Sequence, residues 1–153
     1  MNYWLFKTEP QTYSIDDLKR EKNQTTYWDG VRNYQARNRL RDEIAEGDRV
    51  LLYHSSCPRP GVVGSAVVVK SGYPDFTALD SEHPHYDPQS RKDQPRWFMV
   101  DIRLDQKFAA LIPLDELKLC PGLAKMELLQ KGSRLSIQRV SPQQFAAILK
   151  MAS

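Results

Sequence analysis

Cysteine and histidine are scarce in this sequence of 153 residues, with two of the first and three of the second, and their scarcity excludes several functions. Cys57 and Cys120 stand in unrelated surroundings and neither belongs to a Cys-x-x-Cys pair, which argues against a zinc ribbon, a redox motif or a disulfide framework. His83-Pro84-His85 resembles a metal pair, but no third ligand is evident near it, so no metal is expected. Neither a nucleophile elbow nor a phosphate-binding glycine loop is present. Met1 to Lys7 lacks the basic-then-apolar pattern of a signal peptide, and no apolar run approaches the roughly 20 residues of a membrane span. The expectation is an intracellular, reduced chain with no membrane partner.

What is present is ordinary in bulk and unusual in one place. The length fits one domain, residues 1–153, with a core that needs no staple. Hydrophobic content of 41% and a formal net charge of +3 permit a polyanionic partner without demanding one. The unusual place is Tyr27 to Arg41, where three aromatics, four arginines, two asparagines and a glycine share fifteen positions. Flat rings, amides and guanidinium groups are the residue types of nucleic-acid sites. Gly30 divides the stretch, and Ala36, Leu40 and Ile44 then fall on one helical stripe that should end at Gly47. Balance by Asp42, Glu43 and Glu46 is the plainer reading of the arginines on that helix.

Around this stretch, Tyr3 to Thr8 reads as a strand halted at Pro10, with Trp4 and Phe6 on one face. Ser14 to Asp17 reads as a capped helix start. Lys22 to Thr26 reads as polar loop. Arg49 to His54 reads as an interior strand and Val62 to Lys70 as another, where Gly64 signals a bulge or a close backbone approach. Residues 76–95 read as a long surface loop, of a length that suits a lid or rim. Trp97 to Leu104 is a further strand, with Phe98, Val100, Ile102 and Leu104 toward the core. Short helices are expected from Ile112 and over Lys125 to Gln130. Ser136 to Val140 is the last strand, and a helix capped by Ser141 closes the chain. The sum is an α+β domain, a mixed sheet of about five to six strands curled into a small barrel with peripheral helices.

Four of these segments resemble, in order, the blocks of the EVE domain family: Tyr3 to Pro10, Trp28 to Asn38, Gly47 to Ser55 and Trp97 to Asp101. The resemblance spans nearly the whole chain. It implies a PUA-like fold, distantly related to the YTH domain that reads methylated adenine in RNA. It also implies a reader of a modified base in DNA or RNA, without cofactor or catalysis, in the cytoplasm or, in a eukaryote, the nucleus. A monomer is expected.

A reader of one base must unstack it, sandwich it and satisfy its edge. Trp28, Trp97 and Tyr34 are candidates for the ring walls, and Asn33, Ser55, Lys7 and the backbone at Gly30 and Val31 for the base edge. Arg32, Arg37 and Arg41 are candidates for flanking phosphates. Two other readings stay open. In one, Lys7 and Glu9 supply acid/base chemistry, as in the small ASCH-type hydrolases of the same superfamily. In the other, the chain is a protein-interaction domain.

Overall fold

A computed structural model describes residues 1–153. Six strands form one mixed sheet: β1 Tyr3–Thr8, β2 Thr25–Tyr27, β3 Arg49–His54, β4 Gly61–Pro74, β5 Phe98–Pro113 and β6 Ile137–Val140. Their spatial order is β2-β5-β4-β3-β1-β6. β1 pairs in parallel with β3, and every other pairing is antiparallel. β2 and β6 remain as edges, so the curled sheet is not closed. The helices are short: α1 Ile15–Arg20, α2 Tyr34–Asn38, α3 Leu114–Lys118 and α4 Pro142–Ala152. None is long and apolar enough to cross a membrane.

Strand alternation sorts the apolar residues into two cores, one on each face of the sheet. Trp4 and Phe6 of β1 face a cluster with Trp28, Val31, Ala36 and Leu40. Leu5, between them, faces the opposite cluster with Leu51, Tyr53, Leu117 and Phe145. β3 is buried on both faces, as an interior strand should be. The expected caps form: Ser14 with Asp17 and Ser141 with Gln144 make reciprocal capping boxes, and Asn33 caps α2 through Ala36 N–H at 3.0 Å. Gly64 is a close approach, because a Cβ there would lie 2.3 Å from the Gln106 carbonyl oxygen.

Four expectations change. The helix expected to run to Gly47 widens into a π-turn at Arg39–Glu43 and is extended by Ile44. Its apolar stripe is still buried, since packing rather than propensity holds so short a helix. The helix expected from Ile112 forms two residues later, as α3, because Ile112 and Pro113 are still held in the ladder by the pairs Val62↔Ile112 and Gly61↔Pro113. Between Lys125 and Gln130 only a 3₁₀ turn forms, Glu127–Leu129. Thr25 and Thr26, read as loop, are edge strand paired with Arg103 and Ile102 of β5.

Candidate functional site

The backbone from Tyr27 to Arg32 is pinned at both ends of its apolar part. Trp28 N–H donates to the Val100 carbonyl at 2.8 Å, and Gly30 N–H donates to the Asp75 carboxylate at 2.9 Å. Gly30 has φ +82°, which a side chain rarely adopts. Its missing side chain also leaves room for the imidazole of His85. A Cβ would lie 2.4 Å from Cε1 and 2.7 Å from each ring nitrogen, the pattern of a ring lying face-on over the glycine.

Asp75 fixes this arrangement. It is buried, and its carboxylate accepts from Thr77 N–H at 2.9 Å, from the Thr77 hydroxyl at 2.5 Å and from Arg32 at 3.0 Å, besides Gly30. Burial pushes its carboxyl upward, but these donors and the Arg32 charge together outweigh that and hold it below the usual carboxylate range. Arg32 also donates to the carbonyls of Val31 and His85, at 3.1 and 2.7 Å. The strap that carries Asp75 and His85 is thereby sewn to the Tyr27–Arg32 segment.

The result is a cavity of about 460 Å³, within the range of small-molecule sites. Lys7 and Thr8 line it from the end of β1, Thr12, Tyr13 and Glu21 from around α1, and Thr26 to Arg32 from β2 and the glycine turn. His83, His85 and Ser136 complete it. Trp28 is 8% exposed, backed by Phe6 at 5.5 Å and by the edge of Tyr13 at 6.1 Å, so its ring is a fixed wall. The Lys7 ammonium has no ion-pair partner and its closest aromatic neighbour is the Tyr53 ring, 5.9 Å away. Burial lowers its pKa, partly offset by Glu127. A desolvated cation without a partner suits an acceptor brought by a ligand. Tyr13 donates to Glu21 at 3.2 Å, and burial foremost pushes its hydroxyl up to about 12.

Of the residues singled out from the sequence, Lys7, Trp28, Gly30, Val31 and Arg32 meet at this cavity. The others lie outside its lining. Asn33 caps α2. Ser55 donates its N–H to the Thr8 carbonyl and does not line the cavity. Trp97 and Tyr34 stack on each other at 4.9 Å, with the Arg37 guanidinium 4.8 Å from Tyr34 and that of Arg32 5.3 Å from Trp97. This four-layer ladder supports Arg32 from outside the cavity. Arg37 donates to the Arg96 carbonyl at 2.9 Å, and Arg41 pairs with Asp42 at 2.8 Å. His54 is structural: Ile15 N–H donates to its Nε2 at 3.1 Å, and burial lowers its pKa.

Sequence reasoning missed Tyr13, Glu21, Asp29 and the role of the histidine pair. The third polar group near His83 and His85 is Asp29, distant in sequence but with ligand-type atoms within 4.8 Å of theirs. Hydrogen bonds tie the histidines to each other and His85 to Asp29. His83 Nδ1 accepts the backbone N–H of His85 at 3.0 Å, so the neutral ring carries its proton on Nε2, the atom 3.7 Å from Asp29. His85 Nδ1 lies 2.9 Å from Asp29. The three form a hydrogen-bonded clamp that closes the strap onto the cavity wall.

Comparison with known proteins finds relatives over nearly the whole chain. The EVE domain family model matches residues 2–151. Mouse thymocyte nuclear protein 1 is 43% identical over 98% of this chain and 73% of its own length. A crystal structure from Pseudomonas putida is 45% identical with a TM-score of 0.93, covering 99% of both chains. Human THYN1 protein, solved in complex with 5-methylcytosine-containing DNA, is 40% identical with a TM-score of 0.92, covering 100% of this chain and 98% of that one.

Proposed function

The chain belongs to the EVE domain family, and on that premise we propose that it is a non-catalytic reader of a modified base in DNA. The whole chain is read as one such domain. The base enters the cavity, stacks on Trp28 and is met at its edge by Lys7 and the neighbouring polar groups. The observation that carries this is the cavity itself: one rigid indole wall, the polar groups of the Tyr27 to Arg32 turn around it, and an unpaired, partly desolvated cation. The human relative's complex with methylated DNA favours DNA over RNA as partner. Such a reader works in the cytoplasm or, in a eukaryote, the nucleus.

The hydrolase reading needs Lys7 and Glu9 in one space. Lys7 lines the cavity, whereas Glu9 is exposed and lies outside its lining, which weighs against a joint acid/base role. The interaction-domain reading would gain from Trp28 and Trp97 both buried with no cavity between them; both are buried and Trp97 lies outside the cavity lining, but Trp28 borders an open cavity of its own, which favours the reader.

The test is titration with single strands that carry 5-methylcytosine or cytosine, as DNA and as RNA. A preference for the modified DNA strand is expected. Trp28→Ala should weaken it by about fivefold to a hundredfold, the worth of one stacked base. Trp28→Phe keeps a ring in the core and should retain most of the preference, which separates stacking from folding. Equal affinity for all four strands refutes the reading.

A further inference from the structure

Beside the cavity stands a second aromatic feature that the reading above does not use. Tyr27 and Phe76 are 43% and 50% exposed, and their rings meet edge to face, 5.0 Å apart. Tyr34 is comparably exposed, but Trp97 already stacks on it and the Arg37 guanidinium lies 4.8 Å from its ring centre. Tyr27 and Phe76 have only each other.

Both are held rigidly to the cavity wall. Tyr27 ends β2, the edge strand, and itself lines the cavity. Phe76 opens a 3₁₀ turn that Asp75 caps, and the same Asp75 carboxylate holds Gly30 and Arg32. Exposed aromatics on a mobile loop would be unremarkable surface. Rings fixed in advance lose little freedom when a flat ligand lies on them.

We propose that Tyr27 and Phe76 form a stacking shelf for the nucleobase next to the one in the cavity, on the same strand. The inference rests on the base-reader reading. Tyr27 and Trp28 are consecutive, one outward and one inward, with Cα atoms about 3.8 Å apart. Tyr27 lines the same cavity as Trp28, so a strand that leaves a base held against Trp28 runs past Tyr27. The rings meet edge to face, so one flat base lies on the face of one while the other borders it, and the pair falls far short of the roughly 800 Å² per side that a stable protein partner covers. Because every base has a π face, the shelf accepts any flanking base and adds affinity without sequence preference.

The test compares two single-stranded probes, each with one central 5-methylcytosine: one with normal flanks and one with abasic flanks. Phe76→Ala should weaken the normal probe by about fivefold or more and leave the abasic probe unchanged. Phe76→Trp should bind the normal probe at least as well as the wild type. Phe76 is exposed, so its variants should keep the wild-type Tm. If Phe76→Ala binds the normal probe like the wild type, or weakens both probes equally, the shelf is refuted and the rings serve another partner. That failure is distinct from failure of the cavity reading, which shows as equal wild-type binding of methylated and unmethylated strands. The flank comparison still decides the shelf on whichever strand binds, and absence of binding to any strand overturns both.

Discussion

Gly30→Ala probes the joint between the glycine turn and the strap. The methyl group would have to occupy space 2.4 Å from His85 Cε1 at a backbone φ of +82°. Two costs add. An alanine in the left-handed region costs about 1–2 kcal/mol. Displacing His85 breaks its bond to the Asp29 carboxylate, worth about 1.5–3 kcal/mol for a charged acceptor. The expected destabilisation is about 3–5 kcal/mol, which at this chain length lowers Tm by roughly 10 °C. Gly47→Ala is the internal control. Its φ is +95°, but nothing lies within 4 Å of the new methyl, so it should cost only the backbone share. Thermal denaturation of Gly30→Ala, Gly47→Ala, His85→Ala and the Gly30→Ala/His85→Ala double variant separates the two costs. In the double variant the clash is gone, so its destabilisation should fall short of the sum of the singles by about 1.5–3 kcal/mol. Strict additivity, or a Gly30→Ala cost no larger than that of Gly47→Ala, would refute the stacked position of His85.

Three further outcomes follow from the same geometry. Asp75→Asn leaves Arg32 without its countercharge and should destabilise the fold by about 3 kcal/mol above pH 5. Because the folded-state pKa of Asp75 is depressed, its contribution is full above the unfolded value of about 3.9 and is lost as pH falls through the folded value. The stability gap between wild type and variant, measured by chemical denaturation, should therefore close in acid. Lys7→Met should raise stability slightly while weakening affinity for the modified strand, since it removes a partly desolvated cation that only a ligand satisfies. The sign with pH is the same as for Asp75, but the window lies at the alkaline end. The Lys7 pKa is lowered on folding, so the wild type gains on the variant as pH climbs from the folded value toward about 10.4. Arg32→Lys keeps the charge but loses the fork that serves Asp75, Val31 and His85, and it should loosen the strap, read as faster amide exchange over residues 75–87.

Much of the scaffold was legible because it follows from local rules. The alternation in Tyr3 to Thr8 placed Trp4 and Phe6 on one face and Leu5 on the other, and the structure divides them between two cores accordingly. The caps at Ser14 and Ser141 form from side chains a few residues apart. The errors came where long-range pairing overrides local pattern. Polar Asp105, Gln106 and Lys107 look unlike strand, yet the β4 ladder carries them as part of β5. Thr25 and Thr26 look like loop until β5 pairs with them.

The site divides the same way. The sequence by itself determined that Trp28 to Arg32 is non-helical, glycine-hinged and rich in stacking and charged groups, because those properties belong to the residues. Only the tertiary structure decided which neighbours share its space. Trp97 and Tyr34, equally aromatic, stack on each other outside the cavity, while Tyr13, Glu21 and His85 arrive from distant segments to line it. The clamp of Asp29 with His83 and His85 spans more than fifty residues of sequence. Such a contact leaves no local signature, since it depends on the strap tied down by Asp75 rather than on any spacing along the chain. That is why the turn around Gly30 could be read from its residues, and the cavity it borders could not.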